Sequence, residues 1–393
     1  MARPRQIRIT REGFYYSLVL AAVLIGATSR QLNLLMLIGC VLLGPMIVSL
    51  LYGRWALGKI AVQRRLPTSL HAGQRLRVDI QLANLRRWMG LWALRVEDRI
   101  AHLSQVQENQ ATVGVFFPYL PRSSDKLSSY EGTLPHRGRY QFGPLRVSTR
   151  FPMGLIKHSL TNGDPVELLV HPKLGQLNPG WLKQIREHES GSQQMTRRGL
   201  LEADFYGLRE WRPGDSRRWI HWRTSARRGS LIVQQFEQRR SQNLAILVDL
   251  WQPRNPTAKD LERVELAVSF AATLLAELCR KPGAQLHLEV AAAESFVNAG
   301  AGSPVFLREQ MDALAMVMPH ERPAFPERLG HALALIPAAT PTILVTTRPV
   351  DWETFGRAAA QRETPIDGRT ILEIEVHEDV FSRFYEDASP AVV

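Results

Sequence analysis

The sequence LAILVDL (residues 244–250) is an almost continuous aliphatic run with a single aspartate before its last residue. A strand buried on both faces of a parallel sheet has this composition, because helices cover both sides of such a sheet. The next stretch, Thr257 to Arg280, repeats apolar residues every three or four positions after a capping pair, Thr257 and Asp260. A buried strand followed by an amphipathic helix predicts an α/β domain.

The alternation of strands and helices continues toward the C-terminal end. Strand-like runs occupy residues 286–292, 342–346 and 371–376, and helical patterns around residues 307–317 and 327–335 separate them. This order predicts a doubly wound, Rossmann-type sheet with helices on both faces.

Upstream of this domain, residues 209–229 read REWRPGDSRRWIHWRTSARRG, which concentrates arginine and tryptophan in one short stretch. Pro213 and Gly214 suit the central positions of a type II turn. Asp215 then occupies the predicted N-cap of a helix that carries Trp219 and Trp222.

Four interpretations of this stretch remain open. The tryptophans could pack internally while arginines pair with nearby acids, or the stretch could dock a protein partner or anionic lipid. The basic region from Arg197 to Arg240 could bind nucleic acid, although no known binding fold frames it. Asp215, His221 and Ser225 could form a hydrolytic site, although no nucleophile elbow surrounds the serine. The acids available for pairing are Glu202, Asp204, Glu210 and Glu237.

The types and spacing of these residues resemble the signature of the domain of unknown function 58 family. The upstream motifs RGRYQFGPL (137–145) and TRFPMGL (149–155) add to the resemblance. It implies a membrane-anchored bacterial protein with no assigned reaction, often encoded beside MoxR-type AAA+ ATPases. The family signature and docking candidates are Arg209, Pro213, Gly214, Asp215, Arg218, Trp222, Ser225, Arg227 and Glu237.

The resemblance also implies a C-terminal von Willebrand factor A-like domain. In that fold, Asp-x-Ser-x-Ser after the first strand binds a divalent cation through oxygen ligands. Here Trp251 and Pro253 replace both hydroxyl residues, and only Asp249 remains. We therefore expect a degenerate site without metal, in which a neighbouring loop hydrogen-bonds to Asp249.

Between residues 61 and 174 the apolar period changes to two. Leu76, Val78, Ile80 and Leu82 alternate with polar residues, and the run Trp92, Leu94 and Val96 does the same. Short alternating runs between turn signals predict a β-rich module, either an antiparallel sandwich or a small barrel. This module has no catalytic spacing and is interpreted as structural or binding.

Two uncharged apolar runs, Phe14 to Thr28 and Leu32 to Tyr52, predict a transmembrane helical hairpin. A cleaved signal peptide is the alternative for the first run. Arginines and lysines flank the pair on both outer sides, and only Arg30 lies between the runs. The positive-inside bias therefore predicts that both flanks, and everything after about residue 55, face the cytoplasm.

Composition agrees with a cytoplasmic location. The 393 residues include 49 Lys and Arg against 37 Asp and Glu, so the net charge of +12 favours anionic contacts. Two distant cysteines, Cys40 and Cys279, do not form a disulfide framework. The sequence has no phosphate-binding loop, dinucleotide fingerprint or zinc spacing, so no cofactor is predicted.

Together these patterns predict four segments. Residues 1–55 form the N-terminus and membrane hairpin, 56–175 the β-rich domain, 176–240 a linker with the family signature, and 241–393 the α/β domain. The preferred interpretation is a non-enzymatic scaffold or adaptor in the cytoplasmic membrane, acting with a MoxR-type ATPase. A membrane-bound hydrolase and a binder of anionic lipid or nucleic acid are the alternatives.

Overall fold

The computed structural model describes residues 5–30, 33–103, 110–180, 204–213, 215–237, 243–280, 284–321, 336, 340–350, 371–376 and 385–386. The chain divides into two compact units. The first consists chiefly of Met1–Lys173, and the second of Leu174–Met311 and Val317–Ser389.

Two apolar helices, α1 (Arg11–Arg30) and α2 (Asn33–Ala56), open the first unit and confirm that part of the sequence prediction. Both are long and apolar enough to cross a membrane. Most of their large apolar side chains are exposed, including Leu34 at 72% and Val41 at 67%. The core helix of a soluble domain buries such side chains, so the exposed surface of this pair is unusual in water.

A short strand that the sequence pattern did not reveal, β1 (Arg5–Ile9), precedes α1. It pairs antiparallel with β10 (Ile156–Asn162), with Arg5 opposite Leu160 and Ile9 opposite Ile156. A 3₁₀ turn, Leu57–Lys59, leads from α2 into β2 (Ile60–Arg65). Both ends of the helical pair therefore join the β-structure of the first unit.

The remainder of this unit is β-rich, as predicted. An eight-stranded sheet has the order β1-β10-β9-β5-β8-β11-β3, with β6 paired to β5, and a three-stranded sheet has the order β2-β4-β7. The remaining strands are β3 (Leu70–His71), β4 (Arg75–Asn84), β5 (Leu91–His102), β6 (Gln110–Leu120), β7 (Ser124–Thr133), β8 (Gly138–Phe142), β9 (Leu145–Thr149) and β11 (Val166–His171).

One buried apolar cluster joins the two sheets. In β4, every second side chain faces that cluster, and Val78, Ile80 and Leu82 are fully buried, as their alternation predicts. In β5 the expectation for Trp92 is wrong, because its side chain is 47% exposed. Ala93 has a φ of 53°, which reverses the alternation and turns Leu91 instead toward the core.

The second unit contains a five-stranded sheet with the order β17-β16-β15-β18-β19. All neighbours are parallel except β17, an antiparallel edge strand that the sequence analysis did not predict. The strands are β15 (Leu244–Asp249), β16 (Gln285–Ala291), β17 (Phe296–Ala301), β18 (Thr342–Thr346) and β19 (Ile371–Glu375). The LAILVDL run is thus the central strand, and every residue of β15 is buried.

Three helices and two small sheets complete the described part of this unit. The helices are α3 (Trp222–Arg228), α4 (Ala258–Cys279) and α5 (Pro304–Met316), and the small sheets pair β12 (Gln176–Leu177) with β20 (Tyr385–Glu386) and β13 (Asp204–Glu210) with β14 (Ile232–Glu237). The predicted capping pair of α4 is confirmed, because Thr257 and Asp260 form a reciprocal capping box. The helix predicted around residues 327–335 lies outside the described residues.

Candidate functional site

The signature segment (residues 204–237) is a two-stranded ribbon that carries a loop and a short helix. β13 and β14 pair antiparallel, and between them lie the 3₁₀ turn Arg217–Trp219 and α3. Ile220 forms a β-bridge with Val233, and both side chains are buried together with Ile232. These three aliphatic side chains fix the loop and the helix to the ribbon.

Arg209 and Asp215 form a bidentate ion pair across the turn. Arg209 Nη1 and Nη2 each donate to one oxygen of Asp215, both at 2.7 Å. Asp215 Oδ2 also accepts from the backbone N–H of Arg212 at 2.9 Å. The hydrogen bond from Arg209 lowers the pKa of Asp215 below its ordinary value, and the Arg212 N–H lowers it further.

The prediction that Asp215 caps a helix is therefore wrong. Its carboxylate bonds to the guanidinium of Arg209, which is a stronger, charge-assisted partner than a neutral N–H group. The helix also begins later than predicted, at Trp222, after the N-cap residue His221.

His221 and Ser225 serve the local backbone. His221 Nδ1 accepts from the N–H of Thr224 at 3.3 Å. The hydroxyl of the buried Ser225 accepts from the N–H of Ile232 at 2.9 Å and donates to the carbonyl of His221 at 3.1 Å. Among the described residues, no hydrogen bond joins the His221 ring to the Ser225 hydroxyl, and Asp215 bonds to Arg209. The structure therefore does not assemble Asp215, His221 and Ser225 into the hydrolytic arrangement that was one of the open alternatives.

The exposed side chains of the 3₁₀ turn and of α3 are mainly basic and aromatic. Trp222 is 67% exposed, so the expectation that this tryptophan anchors the helix internally is wrong. The five arginines near Trp222 in the sequence are exposed, and none of them forms an ion pair with a carboxylate in the described part of the chain. We call this set the arginine–tryptophan face; it comprises Arg217, Arg218, Trp222, Arg223, Arg227 and Arg228.

The other signature residues are less informative. Pro213 is exposed on the turn, and Gly214 and the side chain of Glu237 lie outside the described residues. Gly229 ends α3 in the left-handed conformation, with φ 69°, as predicted for a C′ glycine. Residues 197–203 and 238–240 of the predicted basic region lie outside the described residues.

A second cluster lies at the carboxyl ends of β15 and β18. Asp249 is completely buried, and its two oxygens bind different partners. Oδ1 lies 2.7 Å from His320 Nε2, and Oδ2 accepts from Arg348 Nε at 3.1 Å. We call these three residues the rim cluster. The expectation that a neighbouring loop hydrogen-bonds to Asp249 is confirmed, although the sequence did not identify His320 or Arg348.

Local hydrogen bonds hold the partners of Asp249 in place. The N–H of His320 donates to the carbonyl of Leu250 at 2.8 Å. Thr347 Oγ1 accepts from the N–H of Trp251 at 3.0 Å, and the Arg348 guanidinium lies 5.3 Å from the centroid of the Trp251 ring. The site is therefore a rigid, charge-compensated contact between two strand ends.

The rim cluster does not fit a divalent cation. A magnesium site needs several oxygen ligands around an open position, and here a guanidinium and an imidazole occupy both oxygens of the one carboxylate. The described residues contain no group of three or more His, Cys, Asp or Glu side chains suited to metal binding.

Part of the chain, including most of the signature segment, matches a known protein family. Residues 207–336 match the family described as protein of unknown function DUF58. The uncharacterized protein YeaD of Bacillus subtilis (strain 168) is 31% identical over 191 residues, which cover 46% of this chain and 45% of YeaD. The aligned region thus spans less than half of that relative.

Similarities to solved structures are partial. A β-glucosidase from Listeria innocua matches with a TM-score of 0.20 and 14% identity over 28% of this chain and 16% of its own. The CARDB domain of the PF1109 protein from Pyrococcus furiosus matches with a TM-score of 0.17 and 12% identity over 26% of this chain and 92% of its own. Scores this low support no conclusion about fold or function. The family match and the Bacillus relative together support a relationship of this chain to the DUF58 family.

Proposed function

We propose that the protein is a membrane-anchored, non-enzymatic adaptor whose arginine–tryptophan face docks a cytoplasmic protein partner. The observation that supports this most directly is the exposure of Trp222, at 67%, among five exposed arginines. Tryptophan and arginine are the residues most enriched at the energetic centres of protein interfaces. A partner that covers a large exposed indole removes its apolar surface from water, which favours binding.

The way the face is built also supports docking. The Arg209–Asp215 pair closes the loop, the Ser225 hydroxyl ties α3 to β14, and three aliphatic side chains fix the whole segment. A rigid surface loses little conformational entropy when it binds, so more of the contact energy appears as affinity. The basic charge favours an acidic patch on the partner.

The two apolar helices supply the anchor in this proposal. Because β1 and β2 join the same β-rich unit, the chain entering α1 and the chain leaving α2 lie on one side of any membrane that the pair crosses. The pairing of β1 with β10 also favours retention of the first helix over its cleavage as a signal. The excess of basic residues at both flanks favours the cytoplasmic side.

The α/β domain is proposed to be von Willebrand A-like and independent of metal. Support comes from the strand order, in which the chain runs outward from β15 to β17 and returns to β18 on the other side. Ligands of open α/β sheets bind where this order reverses, and the rim cluster lies at that point. Arg348 and His320 would compensate Asp249 in place of a cation.

The proposed partner is a MoxR-type AAA+ ATPase. This part of the proposal depends on the resemblance to the DUF58 family, and the basic face adds only that the partner surface should be acidic. Of the alternatives, the hydrolase is not favoured, because His221 bonds to the backbone N–H of Thr224 in α3, and the Ser225 hydroxyl bonds to the backbone of Ile232 in β14 and of His221. No observation favours nucleic acid over protein.

Affinity purification of the full chain from native membranes after mild crosslinking tests the proposal. We expect an AAA+ ATPase to be recovered with the wild-type chain and to be lost with Trp222→Ala and with Arg223→Glu combined with Arg227→Glu. The matched control is Arg308→Glu, an exposed arginine of α5. Equal recovery with all variants, or recovery of nucleic acid in place of an ATPase, would overturn the proposed docking face.

A further inference from the structure

The loop between β4 and β5 has an unusual composition for an exposed turn. Residues 85–90 read LRRWMG and contain two arginines beside large apolar side chains. Trp88 is 91% exposed, Leu85 62% and Met89 42%. Turns in water usually contain Gly, Pro, Asn and Asp, so this loop is suited to another environment.

The loop is held in one conformation. The buried side chain of Asn84 accepts from the N–H of Arg86 and donates to the carbonyls of Met89 and Pro121, at 3.0 to 3.1 Å. The N–H of Leu85 donates to the carbonyl of Lys59 at 3.1 Å. Trp88 and Met89 are therefore presented by a fixed backbone.

The loop lies directly against the end of α2. The Arg86 guanidinium donates to the carbonyl of Trp55 and its carbon lies 3.7 Å from the centroid of the Trp55 ring. The N–H of Trp92 donates to the hydroxyl of Tyr52 at 3.1 Å. If α2 crosses a bilayer, these contacts place the loop at the level where the helix leaves it.

An aromatic group surrounds the same helix end. The ring of Trp92 lies 4.3 Å from that of Tyr119, and the rings of Tyr52 and Phe151 are 4.9 Å apart, measured between centroids. Trp92 is half-exposed, as is Trp55. Tryptophan and tyrosine gather at the headgroup level of membranes because one part of each ring is apolar and the other forms hydrogen bonds.

Positive charge also accumulates at this position. A Cβ atom built at Gly58 would lie 3.1 Å from Arg86 Nη2 and 3.7 Å from Arg5 Nη2, so two guanidinium groups flank one glycine. Burial lowers the pKa of Arg86, and the nearby charge of Arg5 lowers it further. In the described part of the chain, neither arginine has a carboxylate within ion-pairing distance, and Arg86 Nε is buried without a hydrogen-bond partner.

We propose that the β4–β5 loop binds the surface of the membrane that α2 leaves, with Trp88 and Met89 among the lipid headgroups and Arg5 and Arg86 binding the phosphate of an anionic phospholipid. Guanidinium groups bind phosphate through paired, charge-assisted hydrogen bonds. This inference rests on the membrane anchoring proposed above. It adds a second attachment that fixes the β-rich unit against the bilayer.

Bromolipid quenching of the full chain in reconstituted vesicles tests the contact. Bromine in the upper acyl chain quenches indoles at the headgroup boundary. We expect substantial quenching in phosphatidylcholine mixed with phosphatidylglycerol, and a clear loss of the quenched fraction in Trp88→Phe. Trp222→Phe removes another exposed indole, and it should lower the total fluorescence but leave the intensity lost to quenching unchanged.

The charged contact is tested by Arg5→Gln, which alters an exposed strand residue outside the loop. In the mixed vesicles, the tryptophan fluorescence of this variant should be quenched only as much as that of the wild type in pure phosphatidylcholine. Inorganic phosphate added to phosphatidylcholine vesicles should not restore the quenching; if it does, the site binds free phosphate and not lipid. A Trp88 that is unquenched in inserted protein would overturn the proposal and would favour a protein partner at this loop. Protein that alkaline carbonate extracts from the vesicles would instead refute the anchoring itself.

Discussion

The chemistry of the α/β unit depends on how one buried carboxylate is compensated. Asp249 is fully buried, and its neighbours supply a guanidinium on one oxygen and an imidazole on the other. A buried charge is tolerated only when it is paired and hydrogen-bonded. The Arg348–Asp249 ion pair does not have to stabilise the fold strongly. Loss of the arginine, however, leaves the buried carboxylate of Asp249 without its guanidinium partner.

Replacement of Arg348 should therefore destabilise the sheet more than an ordinary arginine substitution does. We expect Arg348→Ala to lower the local stability of β15 and β18 by about 3 kcal/mol, the lower end for breaking a buried pair, because the arginine is one-fifth exposed. Amide hydrogen exchange of the two strands in the full chain measures this loss.

Two controls accompany that substitution. Asp249→Asn in the Arg348→Ala background should recover part of the loss, because it removes the buried charge. Arg308→Ala, on the surface of α5, should change stability by no more than about 0.5 kcal/mol. Mg²⁺ or a chelator should leave exchange of the wild type unchanged, and slower exchange of β15 in Mg²⁺ would contradict the account of this cluster.

Single residues also mark the limit of what the sequence can predict. The carboxylate at position 249 and its hydrogen-bonded state follow from its place at the end of an apolar strand. His320 could not be identified, because 71 positions separate it from Asp249 and no motif links them. Asp215 follows a Pro-Gly turn, and this position suggests a helix cap. The guanidinium of Arg209 competes for its carboxylate, but only the folded ribbon brings the two side chains together.

At the scale of elements, the junction between α1 and the β-rich unit is tightly packed. Thr10 Oγ1 donates to the carbonyls of Gly154 and Leu155 and accepts from the N–H of Gly13 at 3.0 Å. A Cβ atom at Gly13 would overlap the carbonyl of Leu155. This glycine lets the helix approach the backbone of the loop before β10 directly.

Gly13→Ala should separate the helix from the loop before β10 at this point. We expect a loss of about 1 to 3 kcal/mol, the usual cost of overpacking, and faster proteolysis of the loop before β10. Gly44→Ala is the matched control, because a Cβ there meets no atom within 4 Å. Equal protease resistance of the two variants would show that the junction is not a packed contact.

Elements with a strong period were predictable, and those without one were not. β15 follows from its unbroken apolar run, β4 from its alternation, and α4 from its period and its capping box. β1 is a short edge strand with only two apolar residues, and its partner β10 is distant in sequence. β17 is a short edge strand without a regular alternation of large apolar residues, so its pattern does not mark it as a strand. Trp92 was misplaced because the positive φ of Ala93 interrupts an otherwise regular alternation.

At the scale of the whole molecule, we propose that a membrane tether carries two units. The chain runs from β1 of the β-rich unit through the two helices and returns to the same unit at β2. In our proposal, the β4–β5 loop adds a contact to the membrane surface. The second unit presents the arginine–tryptophan face. A docking function of this kind needs the two units to share a compartment with the partner.

The most direct test of the central claim, that the tether holds both units in the cytoplasm, is protease accessibility. An epitope-tagged full chain would be treated with protease in spheroplasts and in inside-out membrane vesicles. We expect the β-rich and α/β units to be protected in spheroplasts and digested in the vesicles, with a fragment containing α1 and α2 left behind. Digestion in intact spheroplasts, or release of undigested chain by alkaline washing, would contradict the claim.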